Sequence, residues 1–288
     1  MAVVNTNIGA SVAQSALMRN DRALSTAMEQ LSTGKKINSA GDNAAGLAIS
    51  SRMTSQIRGL SAAISNANDA ISMVNTAEGA LDEITNMLQR MRELAVQAGT
   101  GTTASADRTY LNSEFSSLRS EIDRIVDNTQ WNGRNILDGS AGASTGKSTV
   151  AFQIGQDGVK TQTLSTSFGN FNNTTGKLSG MASKVITGTT ITSAVAMASK
   201  SITEIDVVIA DVSSQRATFG AVSNRLTHAV DNLTNVKTNS EASRSRILDT
   251  DYAAATSELA RTQIIQQAGT AMLAQANQLP QTVLALLQ

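Results

Sequence analysis

Between Met53 and Ala98, apolar residues recur every three or four positions without a gap. They are Met53, Ile57, Leu60, Ile64, Ala67, Ile71, Val74, Ala77, Leu81, Ile84, Leu88, Met91, Ala95 and Ala98. This spacing places all of them on one face of an α-helix. At about 1.5 Å per residue the helix is roughly 70 Å long. A compact domain built from 288 residues has no use for a rod of that length, so the stripe predicts a bundle or coiled-coil element. Two three-residue steps fall together near Ala77-Glu78-Gly79, and such a slip locally changes the supercoil.

Both ends of the chain repeat the pattern. Leu17, Leu24 and Leu31 recur every seven residues, with Ala13 and Ala27 at alternate seam positions. Ile264, Ala268, Met272, Ala276, Leu279, Val283 and Leu286 carry an apolar stripe through the last helix. A stripe of this kind must be covered. The expected covers are the opposite terminal helix of the same chain and further copies of the chain. Pro280 lies inside the second stripe and is expected to bend the helix or remove a hydrogen bond there.

The remaining pattern fills in the order of elements. A helix near Ile8 to Leu31 ends at Thr33-Gly34, where glycine suits a left-handed cap. A polar link, Asn38 to Asn43, leads into the long helix. Gly99 to Ser105 marks a turn, and a third helix follows with Leu111, Phe115, Leu118, Ile122 and Ile125. Asn132-Gly133 breaks the helical pattern. Two short strands are expected at Thr149–Ile154 and Lys160–Leu164, joined at Gln156-Asp157-Gly158. A fourth helix from about Ser193 to Ser240 uses Ala198, Ile202, Ile205, Ile209, Val212, Phe219, Leu226, Val230 and Leu233. The fold class is therefore mainly α: a long antiparallel helical bundle or coiled coil with paired terminal helices and a small β-hairpin insert. Residues 1–44 and 245–288 form the terminal pair, and 45–138 with 193–244 form the rod. Residues 139–192 are a small β-rich insert belonging to the rod, with no large outer domain.

Composition narrows the function. Aromatics are 3% and proline occurs once, so Ala, Leu, Ile and Met must supply the packing. Lys+Arg and Asp+Glu are both 23. Net neutrality gives no electrostatic attraction for nucleic acid or an anionic membrane, and it lacks the self-repulsion that opposes association. Cysteine is absent and His228 is the only histidine, which removes disulfides, thiolate chemistry and paired-histidine metal sites. The first nine residues lack the basic and apolar regions of a cleaved signal, and no apolar window reaches the length of a membrane span. On these grounds the chain is cytoplasmic unless it leaves by a route that reads no cleaved signal.

Each candidate site has a plainer reading. Ala141-Gly-Ala-Ser-Thr-Gly146-Lys147-Ser148 fits a loose nucleotide-loop pattern. That chemistry needs a buried strand before the loop and a helix after it, whereas Thr149–Ile154 reads as strand. His228, with Asp231 and Ser223 nearby on a helix, lacks the strained turn of a nucleophile. Asp82 and Glu83 are adjacent on a helix and point to different sides. Asn172 and Asn173 begin glycosylation sequons that arise readily in Asn/Thr-rich loops. Met53, Met73, Met87 and Met91 serve packing. Arg90, Glu93, Leu94 and Gln97 line the flank of the long seam, where local ion pairs are the simple expectation. Nothing indicates catalysis, a cofactor or a metal.

Many short motifs, in order, resemble the bacterial flagellins. They include Asn5-Thr-Asn7, Leu31-Ser-Thr-Gly34, Asp42-Asn-Ala-Ala-Gly46-Leu-Ala-Ile49-Ser, Asn66-Ala-Asn-Asp69 and Thr76-Ala-Glu-Gly79-Ala-Leu81. Leu88-Gln-Arg-Met-Arg-Glu-Leu-Ala-Val96-Gln and Trp131-Asn-Gly133 continue the series, with Trp131 where the family usually has Phe. Gly220-Ala-Val-Ser-Asn224-Arg-Leu226, Ser245-Arg-Ile247-Leu-Asp249-Thr-Asp251-Tyr252 and Met272-Leu-Ala-Gln-Ala-Asn277-Gln-Leu-Pro280 complete it. The resemblance covers about residues 1–138 and 195–288.

It implies export through the flagellar type III apparatus and polymerisation, beneath a tip cap, into the helical filament that drives motility. The implied location is the extracellular flagellum. The implied partners are copies of the chain, cap and hook-associated proteins, an export chaperone at the C-terminal segment, and Toll-like receptor 5 for the monomer. In the family the termini are disordered in the free subunit and pair inside the filament. Self-assembly is expected through Leu17, Leu24, Leu31, Ile264, Ala268, Met272, Leu279, Val283 and Leu286. The receptor motif falls on Arg90, Leu94, Gln97 and Glu114. A hook–filament junction protein is the nearest alternative, and a coiled-coil signalling rod a more distant one.

Overall fold

A computed structural model describes residues 7–142, 148–156, 162–172, 176–181, 184–188 and 190–286, with side chains described up to residue 278. Five helices dominate: α1 (Ile8–Thr33), α2 (Ala44–Ala98), α3 (Ser105–Asn128), α4 (Ile191–Leu248) and α5 (Tyr252–Leu286). Four short strands lie between α3 and α4: β1 (Gln130–Trp131), β2 (Arg134–Asn135), β3 (Thr149–Gln153) and β4 (Thr163–Ser167). A 3₁₀ turn lies at Ser179–Met181. The chain divides into two units, residues 1–57 with 238–288 and residues 58–237.

Helix ends follow local chemistry. The Asn7 side chain accepts from the Ala10 N–H at 3.0 Å and starts α1. Gly34 ends it at φ 68°, its N–H bonded to the Gln30 carbonyl. Asn43 caps α2 by accepting from the Gly46 N–H at 2.8 Å. Between the two helices Asp42 receives the N–H groups of Asn38 and Ser39 at 2.9 and 2.8 Å. The same link is tied to the α4–α5 junction, where Lys36 N–H meets the Leu248 carbonyl and Thr250 N–H meets that of Gly34.

The core of the second unit runs along α2. Of the expected stripe, Leu60, Ala67, Val74, Ala77, Leu81, Ile84, Leu88, Met91, Ala95 and Ala98 are buried, joined by Ala63, Ala70, Met73 and Leu94. The helix is continuous through the slip at Glu78, and Arg216 of α4 bridges Glu78 and Asp82 there, 2.9 Å from Asp82.

On α4 the buried seam includes the expected Ala198, Ile205, Val212, Phe219 and Leu226 and adds others. It reads Ala194, Ala198, Ser201, Ile205, Val208, Val212, Gln215, Phe219, Val222 and Leu226, alternating four and three. Ile202, Ile209 and Val230 are only partly buried. Two of the added seam positions, Ser201 and Gln215, are polar, so an apolar count passes over them. The Ser201 hydroxyl donates to the Val185 carbonyl at 3.3 Å, and the Gln215 amide donates to that of Ser167 at 2.7 Å.

The strands form two antiparallel hairpins. β1 and β2 close around Asn132 and Gly133, both at positive φ (49° and 74°), as a two-residue type I′ turn requires. β3 pairs with β4 from Thr149↔Ser167 to Gln153↔Thr163. β4 takes in Leu164 of the expected second strand, with Leu164 and Thr166 at its buried positions, while Lys160 and Thr161 lie outside the described residues. The expected turn at Asp157-Gly158 lies outside the described residues. The Asn66 amide holds the hairpin to α2 by donating to the Gln153 carbonyl at 3.2 Å. Beneath it Phe168 packs on Phe219, ring centroids 5.3 Å apart.

Candidate functional site

Two surfaces carry the expected functional residues. The first is the α1–α5 pair, which runs antiparallel: Asn7 donates to the Ala276 carbonyl at 2.8 Å, and Asn20 to that of Thr262 at 2.8 Å. On α1, Ala27 is buried, while Ala13, Leu17, Leu24 and Leu31 are half-buried. The opposing face of α5 comprises Ala255, Leu259, Thr262, Gln266, Gly269, Leu273 and Ala276, again alternating four and three.

This corrects the expected intrachain pairing. Ile264 is 66% exposed, Met272 65%, and Ala268 is also exposed, so these three lie away from α1, whereas Ala276 of the same stripe is on the face that meets α1. Close helix pairing selects small and hydrogen-bonding residues here. A Cβ at position 269 would stand 2.7 Å from Leu17 Cδ1, so glycine makes room for that leucine. The sequence marks this face only by its heptad spacing, since three of its seven residues are Thr262, Gln266 and Gly269. α5 continues through Pro280 to Leu286, and the side chains of Leu279, Val283 and Leu286 lie outside the described residues.

The second surface is on α2 and α3. Arg90 Nε donates to Glu114 Oε1 at 2.9 Å, and a terminal guanidinium nitrogen donates to Glu93 Oε2 at 3.0 Å. These two carboxylates, Glu93 first, hold the Arg90 pKa above its ordinary value. Arg92 pairs with Asp206 of α4 at 2.7 Å. Gln97 is exposed, and its carbonyl accepts from the Thr103 hydroxyl at 3.2 Å. Leu94 is placed differently from its neighbours: at 1% exposure it belongs to the core. Its side chain supports the face from inside.

Arg108, buried at 2%, was not marked by any sequence pattern. It donates to the Ala98 and Thr100 carbonyls at 3.1 and 2.7 Å. It thereby satisfies the open end of α2 with a cation, where the helix dipole is negative, and fixes the α2–α3 turn.

The other candidates show no converging chemistry. His228 is exposed on α4. Of the nucleotide-loop pattern, residues 143–147 lie outside the described residues, as do Asn173, Thr174 and Thr175 of the sequons; β3, not a helix, follows the loop. Among the described residues, no group of three or more acidic or histidine side chains is placed to hold a metal ion. No described helix is long and apolar enough to cross a membrane.

Comparison with known proteins agrees with this architecture. Residues 4–142 match the bacterial flagellin N-terminal helical region, and residues 202–287 the bacterial flagellin C-terminal helical region. A flagellin of Halalkalibacterium halodurans is 43% identical, covering 99% of this chain and 100% of its own. Flagellin A of Vibrio cholerae is 36% identical, covering 99% of each. Among solved structures, a chain from Vibrio parahaemolyticus described as a flagellar hook-associated protein superposes with a TM-score of 0.59 at 16% identity. It covers 72% of this chain and 100% of its own, a likeness of fold alone. The chain belongs to the bacterial flagellin family, the structural subunits of the flagellar filament.

Proposed function

We propose that the chain is exported through the flagellar type III apparatus and polymerises beneath a tip cap, with α1 and α5 completing the assembly. The supporting observation is the exposure of Ile264 and Met272 at 66% and 65%. Fully burying such a side chain contributes about 1.5–3 kcal/mol, which assembly gains and which the ordering of the ends opposes. Leu17, Leu24, Leu31, Ile264, Ala268 and Met272 supply the interface. Leu279, Val283 and Leu286 extend it in sequence. In this arrangement residues 1–44 and 245–288 form the inner layer, 45–138 and 193–244 the rod, and 139–192 a small element of the rod. The C-terminal segment meets an export chaperone before assembly, and cap and hook-associated proteins contact the assembled ends.

The test is seeded polymerisation of full-length protein carrying Ile264→Asp and Met272→Asp, followed by electron microscopy. The expected outcome is no filament, with the thermal melt of the rod unchanged. Filaments as abundant as those of the parent chain would sink the interface. A chain lacking residues 250–288 is expected to behave as the double variant does.

We also propose that the unpolymerised chain is recognised by Toll-like receptor 5 through Arg90, Gln97 and Glu114, with Leu94 supporting that face. The Arg90–Glu114 contact between α2 and α3 favours this, since it presents charge in fixed geometry. Arg90→Ala is expected to reduce receptor activation by on the order of tenfold or more, as loss of one interface anchor does. Unchanged activation would exclude Arg90 as a contact.

A further inference from the structure

We infer that Asn20, with Thr262 and Gln266, sets the register in which α1 accepts α5. The need arises from repetition. Leu17, Leu24 and Leu31 are identical every seven residues, so sliding α5 by one heptad, about 10 Å, again sets leucines against the α5 face. An apolar seam alone discriminates weakly between such registers.

Asn20 occupies the seam position between Leu17 and Leu24, at 8% exposure. Its amide nitrogen donates to the Thr262 carbonyl at 2.8 Å and to Gln266 Oε1 at 3.1 Å. Among the described residues, Asn20 is the one buried polar side chain of α1, and Thr262 is that of α5. Thr262 satisfies its own hydroxyl inside α5, on the Glu258 and Leu259 carbonyls. The Thr262 backbone carbonyl and the Gln266 side chain therefore remain as partners for Asn20. One step along, Leu17 meets the only seam glycine of α5, Gly269. In a register slipped by seven residues a backbone carbonyl of α5 again meets Asn20, but Leu273 or Leu259 replaces the Gln266 acceptor, Gln266 is set against Ala13 or Ala27, and Leu17 loses its gap. Breaking the Asn20–Gln266 amide pair leaves one buried N–H of Asn20 and the Gln266 carbonyl oxygen without each other, which is disfavoured, so the polar layer selects one register.

Register decides which composite face the pair presents. The exposed Val12, Met18 and Met28 of α1 stand at a fixed offset from the exposed Ile264 and Met272 of α5 in one register only. Asn20 is thus a positioning residue. This last consequence rests on the assembly proposed above, whereas the register itself does not.

The chain contains no cysteine, so introduced pairs report register without background. Full-length protein carrying Leu17→Cys and Gly269→Cys reads the native register. Leu17→Cys with Ala276→Cys reads a slip of seven residues, because cysteines with Cα atoms more than about 7 Å apart do not bridge. Each pair is equilibrated in a dilute glutathione redox buffer, and the intramolecular disulfide is quantified on non-reducing gels. The trapped ratio reports register whether pairing is persistent or transient. With Asn20 present, the native pair is expected to exceed the slipped pair by on the order of tenfold. With Asn20→Leu the two are expected to come within about threefold of each other. The exchange Asn20→Gln with Gln266→Asn, which keeps an amide on each helix, is expected to restore much of the preference. A ratio unmoved by Asn20→Leu, or equal trapping of both pairs in the parent, overturns the inference. Seeded assembly of the same variants tests the interface separately, since the disulfide ratio does not depend on filament formation.

Discussion

The seams of the rod and of the terminal pair share one spacing and differ in depth. On α4, Ile205, Val212, Phe219 and Leu226 are 0% exposed, and on α2 Leu81, Ile84 and Leu88 are 0%. On α1, the leucines of the same repeat are only half-buried, and Ile8, Val12 and Met18 are more than half exposed. The rod seams are covered within the chain by several helices and a hairpin floor of Phe168 and Phe171. A pair of helices buries one stripe each and leaves the rest in water. The long seams of α2 and α4 are covered within one chain, whereas the terminal pair keeps part of its apolar surface in water.

That contrast breaks most visibly if the rod fails to behave as a core. Phe219→Ala removes a fully buried ring packed 5.3 Å from Phe168. It is expected to cost about 3–5 kcal/mol, read as a fall in the thermal midpoint of the free chain. A loss under about 1 kcal/mol would mean that the rod tolerates cavities and is not the self-sufficient part.

The matching change in the terminal pair is Leu24→Ala. In the free chain its half-buried side chain is expected to contribute well below the about 2–5 kcal/mol of a core leucine, so the rod's melting midpoint should stay within experimental error. In seeded polymerisation the same variant is expected to raise the critical concentration severalfold. Equal effects on the melt and on assembly would erase the distinction between the two regions.

Much of this was legible from spacing. The long stripe of α2, the Gly34 cap, the five helices and the β insert all follow from three-and-four periodicity and turn residues. Faces were harder to read than elements. On α4 the seam passes through Ser201 and Gln215, and on α5 through Thr262, Gln266 and Gly269. Counting apolar residues therefore finds only part of the α4 seam, and on α5 it picks out the exposed Ile264, Ala268 and Met272 instead. Each of the polar side chains on these seams is bonded: Ser201 donates to the Val185 carbonyl, Gln215 to that of Ser167 at the end of β4, Thr262 to α5's own carbonyls, and Gln266 accepts from Asn20. A pattern read without its acceptors cannot reveal that. Arg108 was silent for the same reason, since its partners are backbone carbonyls at the end of α2. The β4 start depended on cross-strand pairing, which no single strand encodes. The Arg90 cluster showed as a helix flank, but Leu94's burial arises from packing against other elements.

The smallest expected effect concerns the link between the two helices at the head of the terminal unit. Asp42 sits below its ordinary pKa, chiefly because the Ser39 N–H and then the Asn38 N–H bond its charged form. A carboxylate whose folded pKa is depressed stabilises the fold above its unfolded value. That contribution is therefore present above about pH 4 and is lost as the pH falls through the lower, folded value. The α1–α2 link should loosen only in strong acid, seen as lost amide protection at Asn38 and Ser39 in hydrogen exchange. Asp42→Asn should remove the pH dependence of those two amides while leaving the rod unchanged. If they instead titrate at an ordinary carboxylate value in the parent, the link is not held by Asp42. The terminal pair would then lack this anchor at the point where α1 turns into α2.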